Sequence, residues 1–274
     1  MLKMDIYLKD YSKFYEIIMI QHLVKLPFFK RLIPSLGMKV LRLIKKNKGY
    51  YKIGNLDLYL DFLDPVDRQI IIHKKYENDQ ITVLEEQMKK YNFSYFLDIG
   101  SNCGYYSCYF AERFKNLKIL AFEPNTLALK KLSKSVSKNS LKNIKLYNFA
   151  LSDSKKKVKM KSMIKHNYAH TNSSIFDPTT DFDLKDYKIF NAITKIGDDI
   201  LNFKNKSLFF KIDVEGFEIH TLRGFIKNLN QNKCTILIEI SDGQFDVVNN
   251  FMKKNNFKQI FKSQIRWDYI YTNF

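Results

Sequence analysis

Between residues 95 and 240, short apolar runs alternate with segments whose apolar residues recur three and four positions apart, the periods of strand and helix. The runs Tyr95–Ile99, Leu117–Phe122, Ile144–Phe149, Leu208–Gly216 and Cys234–Ile240 predict five strands. Tyr105–Phe114, Asn125–Ser137 and Phe217–Leu229 predict the helices between them. Cys234–Ile240 is almost wholly apolar, as suits a central strand covered on both faces. Strands alternating with helices imply a parallel sheet, which binds ligands at the carboxyl ends of its strands. The front of the chain differs. Residues 1–49 carry no strand pattern, while Tyr7–Leu26 and Met38–Ile44 have helical spacing broken by Pro27, Pro34 and Gly37. The expected organisation is a helical N-terminal extension over 1–55 and an α/β domain over 56–274.

Chemistry gathers at the predicted strand ends. After the first strand, Asp98-Ile-Gly-Ser-Asn-Cys-Gly104 opens into a turn in which Gly100 and Gly104 permit a tight bend, and backbone N–H groups of the next helix face the same turn. A dinucleotide site would place a glycine at the middle position, close to a pyrophosphate. Asn102 stands near there, and the Asp98 carboxylate would repel a pyrophosphate but pair with an ammonium group. These features read as a site for a zwitterionic ligand with a ribose, S-adenosyl-L-methionine; an ordinary strand-to-helix turn is the plainer alternative. Glu123 ends the second strand about 20 residues beyond the first glycine, where an acid that accepts both ribose hydroxyls belongs. Its alternative role is to cap the helix that Pro124 begins.

Four segments, Leu97-Asp-Ile-Gly-Ser-Asn-Cys-Gly-Tyr-Tyr-Ser107, Ala121-Phe-Glu-Pro-Asn125, Asn148-Phe-Ala-Leu-Ser-Asp153 and Phe210-Lys-Ile-Asp-Val-Glu-Gly-Phe-Glu218, together resemble the FkbM-type S-adenosylmethionine-dependent methyltransferases. Ser101 and Cys103 depart from the alanine and isoleucine usual in that family. The resemblance implies an α/β, Rossmann-like seven-stranded class I methyltransferase fold, mostly parallel with an antiparallel last strand. Phe257–Lys262 and Trp267–Thr272 offer its closing hairpin. Carried over by position, it implies Asp98, Gly100, Asn102 and Gly104 around the methionine, Glu123 on the ribose, Asn125 on the adenosine side and Asp153 near the adenine. Asp213 and Glu215 would face the sulfonium and the acceptor.

Methyl transfer to a hydroxyl needs an aligned acceptor and a base for its proton. Asp213 and Glu215 flank Val214, so an extended backbone would aim both to one side. His220 titrates nearer neutrality and is a third candidate. His166 and His170 fall in the polar stretch Lys165–Ser174, read as a substrate-side loop or lid. Asp213, Glu215 and Glu239 could instead hold magnesium, but no ligand spacing supports a metal site. The family's acceptors point to a saccharide, glycan or natural-product hydroxyl. An RNA ribose or cap, and a binding protein without catalysis, are the alternatives.

Composition adds location and partners. The three cysteines form no paired or zinc-binding framework, which suits reduced thiols in a cytoplasmic protein. Asp5 and Asp10 interrupt the start, so no signal peptide is expected, and no apolar run reaches the roughly 20 residues of a membrane span. Lys25, Lys30, Arg31, Lys39 and Arg42 alternate with Leu26, Phe28, Phe29, Leu32 and Leu41. Such helices can lie on the anionic inner face of a membrane, pack on the catalytic domain or form a homodimer. The formal charge of +18 would attract nucleic acid, acidic glycans or anionic lipid alike, and no RNA-binding module accompanies it.

Overall fold

A computed structural model of the chain describes residues 47–165, 168–178, 185–241, 243–263 and 267–274. The chain divides into two compact units, Met1–Glu77 and Asn78–Phe274. The helices expected at Tyr7–Leu26 and Met38–Ile44 lie outside the described residues, and with them the basic surface expected there.

In the first unit, strands β1 (Lys48–Ile53) and β2 (Leu56–Asp61) pair antiparallel and lead into helix α1 (Pro65–His73). Residues 48–53, expected within the helical extension, are thus a strand. Tyr51 and Ile53 point inward while Tyr50 and Lys52 point out, a period of two that a helix cannot satisfy. Asp64 caps α1 by accepting from the N–H groups of Val66 and Asp67, with Pro65 in the first turn where its missing N–H costs nothing.

The second unit contains helix α2 (Asn78–Lys90), then β3 (Tyr95–Ile99), α3 (Tyr105–Arg113), β4 (Lys118–Phe122), α4 (Thr126–Lys138) and β5 (Ile144–Tyr147). A group of short elements follows: β6 (Ala150–Ser152), β7 (Lys156–Lys165), β8 (Tyr168–Ala169), β9 (Ser174–Ile175), β10 (Tyr187–Ile196) and the single turn α5 (Gly197–Ile200). The chain then returns through β11 (Ser207–Ile212), α6 (Glu218–Gly224), α7 (Ile226–Gln231), β12 (Lys233–Glu239), α8 (Phe245–Lys254), β13 (Lys258–Lys262) and β14 (Asp268–Thr272).

Seven of these strands form one large sheet in the order β13-β14-β12-β11-β3-β4-β5. It is mostly parallel; β14 inserts between β12 and β13 and runs antiparallel to both. The fold is thus α/β with a mixed, mainly parallel sheet. Central strands carry residues buried on both faces, including Phe96, Leu97, Phe209, Phe210, Ile236 and Ile238, which is why their sequences read as unbroken apolar runs. The helix expected over Phe217–Leu229 breaks after Gly224, because Phe225 leaves helical geometry at φ −112° and packs its ring 5.3 Å from Phe210.

The stretch Lys165–Ser174, expected as a loop or lid, falls within a second, five-stranded sheet that runs from residue 150 to residue 196. Its order is β6-β10-β7-β8, with β9 on the free side of β7. β7 pairs antiparallel with the adjacent β8 at its end and with distant β10 along its length, in register from Lys156 with Thr194 to Met163 with Tyr187. His166 lies outside the described residues. Among the described residues no helix is long and apolar enough to cross a membrane.

Candidate functional site

β3 delivers Asp98 to the carboxyl edge of the large sheet, where the chain turns sharply into α3. Gly100 makes that turn possible. At φ +79° it lies so close to β11 that a Cβ would stand 1.8 Å from the Asp213 carbonyl oxygen. Gly104 begins α3, and Leu132 fills the space its side chain would need. Asp98 is 1% exposed; Ser107 Oγ donates to its Oδ2 at 2.6 Å, while its Oδ1 has no hydrogen-bond partner among the described residues. Ser101 Oγ, in the same turn, is also buried without one. Burial pushes the Asp98 carboxyl above its ordinary range, against the pull of Lys211 and Ser107.

Glu123 closes β4 and is 5% exposed. The backbone N–H of Asn102 donates to its Oε2 at 2.8 Å and that of Asn125 to its Oε1 at 2.7 Å. Burial nevertheless pushes its carboxyl up to about 7, because two N–H groups do not replace the hydration of a charge. Asn125 itself caps α4: its Oδ1 accepts from Leu127 N at 3.0 Å, and its Nδ2 donates to Thr171 O and Ser173 Oγ.

Beyond β11 the chain carries Asp213, Val214 and Glu215, the last at φ +52°. Lys211, two residues before Asp213 and buried, pairs with the first of these carboxylates. Its Nζ lies 2.9 Å from Asp213 Oδ2, 3.2 Å from Gly100 O and 4.0 Å from Asp98 Oδ1, over the Tyr106 ring. One ammonium therefore serves two carboxylates and the glycine turn. The sequence reading passed over Lys211, although a lysine inside an otherwise apolar strand and next to an acidic pair is itself a signal of a buried partner.

A cavity opens between these strand ends, lined by Gly100, Asn102, Glu123, Asp213 and Glu215, with Phe122, Pro124 and Phe149 among its apolar walls. The small sheet supplies a further side through Met160, Ile175 and the segment Thr171–Ser173. Asn172 spans the mouth. Its Oδ1 accepts from Asn102 Nδ2 at 3.0 Å, and its Nδ2 donates to Glu215 Oε1 at 2.6 Å. Thr171 adds Oγ1 bonds to Asn102 Oδ1 and from Lys131 Nζ. His170, by contrast, is not among the lining residues; its backbone N–H bonds Met163 O.

Asp153 and His220 are brought together. His220 Nδ1 lies 2.8 Å from Asp153 Oδ2, and the imidazole stacks on Phe217 at 4.5 Å. Neither is among the lining residues, although Leu151 of β6 and Phe217, on which the imidazole stacks, are, so the pair stands at the cavity's margin. Against its partial burial, the His220 hydrogen bond and charge hold Asp153 below the ordinary carboxylate range. Glu218 is buried at the start of α6, accepting from Gly216 N at 2.8 Å, and its desolvation raises its carboxyl. Among the described residues no group of three or more His, Cys, Asp or Glu is disposed to hold a metal ion.

A family model described as the methyltransferase FkbM domain matches residues 98–259, a span that begins at Asp98 and encloses every residue of the cavity. No curated protein matches. Solved structures similar to this chain include the methyltransferase FkbM of Methylobacillus flagellatus KT, at 16% identity and a TM-score of 0.47 over 66% of this chain and 43% of that one. This chain thus spans less than half of the Methylobacillus protein. An rRNA methylase from Streptococcus thermophilus aligns at 14% identity and a TM-score of 0.38, over 66% of this chain and 86% of that one. M. jannaschii TYW2 in complex with AdoMet aligns at 11% identity and a TM-score of 0.38, over 82% and 84%. With more than half of its length matched by the family model, the chain belongs to the FkbM methyltransferase family.

Proposed function

We propose that this enzyme methylates a hydroxyl oxygen of a saccharide, or of a related glycan or natural-product precursor, using a Rossmann-like class I methyltransferase domain. The observation that carries this reading is the division of the cavity: Glu123 with Phe122, Pro124 and Phe149 on the β4 side of β3, and Asp213 with Glu215 on the β11 side. The β4 side suits a nucleoside, apolar for a base and acidic for ribose hydroxyls. The β11 side suits an acceptor hydroxyl that must lose a proton.

The residues present fit the cofactor. Asp98 Oδ1 and Ser101 Oγ, buried and without hydrogen-bond partners among the described residues, would receive the amino-acid end above the glycine turn. Glu123 would hold the ribose. Bound there, S-adenosylmethionine supplies a methyl group on a positively charged sulfur. The protein holds the acceptor and takes its proton. Glu215 is the proposed base, receiving the hydroxyl proton on its carboxylate, with Asn172 fixing the side chain through Oε1. Asp213, ion-paired to Lys211, orients the acceptor. A base placed this way typically contributes roughly 10²–10⁴ in rate. His220, held by Asp153 at the cavity's margin, has no part in this scheme.

The test is transfer of labelled methyl from S-adenosylmethionine into separate glycan, lipid and RNA fractions. Label in a glycan or glycan precursor, lost in Glu215→Gln with cofactor binding retained, supports the reading. Label in RNA alone overturns the acceptor class, and full turnover in Glu215→Gln overturns the base.

A further inference from the structure

β7 and β10 pair antiparallel, so residues opposite one another share a face. One face turns inward: Met160, Ser162, Ala192 and Thr194 are buried on it, and Met160 lines the cofactor cavity. The other face is built from two parallel columns. Along β7 stand Lys157, Lys159 and Lys161, opposite Ile193, Asn191 and Ile189, and the ladder ends with Met163 opposite Tyr187. Successive lysines are about 7 Å apart along the strand, two residues of extended chain. Ile193 is 45% and Met163 48% exposed, and Lys161 Nζ sits 5.3 Å from the Tyr187 ring centre. The two strands KKVKMKSMIK and YKIFNAITKI hold seven lysines and no carboxylate.

Solubility alone is served by charges of both signs. A single-sign row beside exposed aliphatic residues serves a partner that is anionic and apolar at once. A phosphate backbone would meet the lysines but gain nothing from Ile189, Ile193 and Met163. An anionic bilayer takes both columns, its headgroups on the ammonium groups and its acyl boundary on the aliphatic side chains, with Tyr187 suited to the interface.

We propose that the outer face of β7 and β10 docks on an anionic lipid surface, which holds the cavity on the far side of the same sheet beside the membrane. The docking reading goes beyond the methyl-transfer reading and stands apart from which acceptor is used. The test is flotation of the full chain with vesicles of phosphatidylcholine, alone or mixed with phosphatidylglycerol. Binding is expected to the mixed vesicles only. The triple variant K157Q/K159Q/K161Q should lower the partition coefficient on the order of 100-fold. Ile193→Asn should weaken binding further at fixed salt. Cofactor affinity should stay at the wild-type value in both variants, because these side chains face away from the cavity; lost cofactor binding in the wild type would tell against the methyltransferase site without touching the docking face. Absence of vesicle binding, unchanged binding by the triple variant, or wild-type binding to an RNA oligonucleotide that exceeds vesicle binding and is lost in the triple variant would each overturn the proposal.

Discussion

Replacing Glu123 by Gln separates two effects that the structure sets against each other. In the protein without ligand, Glu123 is buried and its carboxyl titrates at about 7, raised from the ordinary 4.5. A group raised in the folded state contributes stability that is complete below about 4.5 and lost as pH rises through about 7; above that, the ionised form costs about 3 kcal/mol. Gln removes that cost. It also offers one oxygen where Glu123 offers two, so either Asn102 N or Asn125 N loses its acceptor, at roughly 1–3 kcal/mol. The two nearly cancel. Glu123→Gln should therefore unfold within about 2 kcal/mol of the wild type at about pH 8, with a flatter dependence on pH from 5 upward. Cofactor binding should respond differently. Ribose hydroxyls donating to an ionised carboxylate contribute roughly 1.5–3 kcal/mol, so the variant should bind S-adenosylhomocysteine about 10- to 100-fold more weakly at about pH 8. Wild-type affinity should also fall as pH drops through 7, because the hydroxyls favour the ionised form, while that of the variant should not. Titration calorimetry at several pH values, alongside urea unfolding, measures both. Equal affinity and an equal pH profile in the two proteins would refute the ribose assignment.

Lys211→Met should destabilise the domain by about 3–5 kcal/mol, since it leaves the buried Asp98 carboxylate and Asp213 without their shared cation; a loss under 1 kcal/mol in urea unfolding would show that the pair is not coupled to the fold. Gly100→Ala cannot keep its turn against the Asp213 carbonyl, so S-adenosylhomocysteine binding should vanish even where circular dichroism shows a folded chain. Asn172→Ala should lower kcat about 10-fold or more while changing cofactor affinity less, because it frees Glu215 from a charge-assisted hydrogen bond; a change confined to KM would place Asn172 in binding alone. His220→Ala should keep turnover within a few-fold and cost less than about 1 kcal/mol of stability, as partly exposed ion pairs do, and a large loss of kcat would return the imidazole to the reaction.

The central strands of the large sheet were legible because they are buried on both faces, so apolar runs such as Phe96–Leu97 and Phe209–Phe210 stand out without any partner in view. The glycine turn was legible for a local reason: only a residue without a side chain fits beside Asp213 at φ +79°. β10 was not, since Tyr187–Ile196 is half-buried and its partner β7 lies far back in the chain. Nor was the break at Phe225, which follows from packing on Phe210 rather than from helical propensity. At the site, Gly100, Asn102, Glu123, Asp213 and Glu215 meet at one cavity, while Asp153 and His220 meet each other at its margin. Spacing along a strand says where a side chain starts, not which partner it meets, and Asp153 meets His220 on α6.

By itself the sequence determined the alternating α/β order, the tight turn after Asp98 and the carboxylates at strand ends, because burial, backbone sterics and charge act over a few residues. The tertiary structure alone decided that Lys211 neutralises Asp98 and Asp213 together, that Asn172 ties Asn102 to Glu215, and that seven lysines share a sheet with one wall of the cavity. Asp98 with Lys211, Asn102 with Asn172 and Asn172 with Glu215 lie about 40 to 110 positions apart, and an interaction that falls off over a few ångströms exists only once the sheet order has closed that distance.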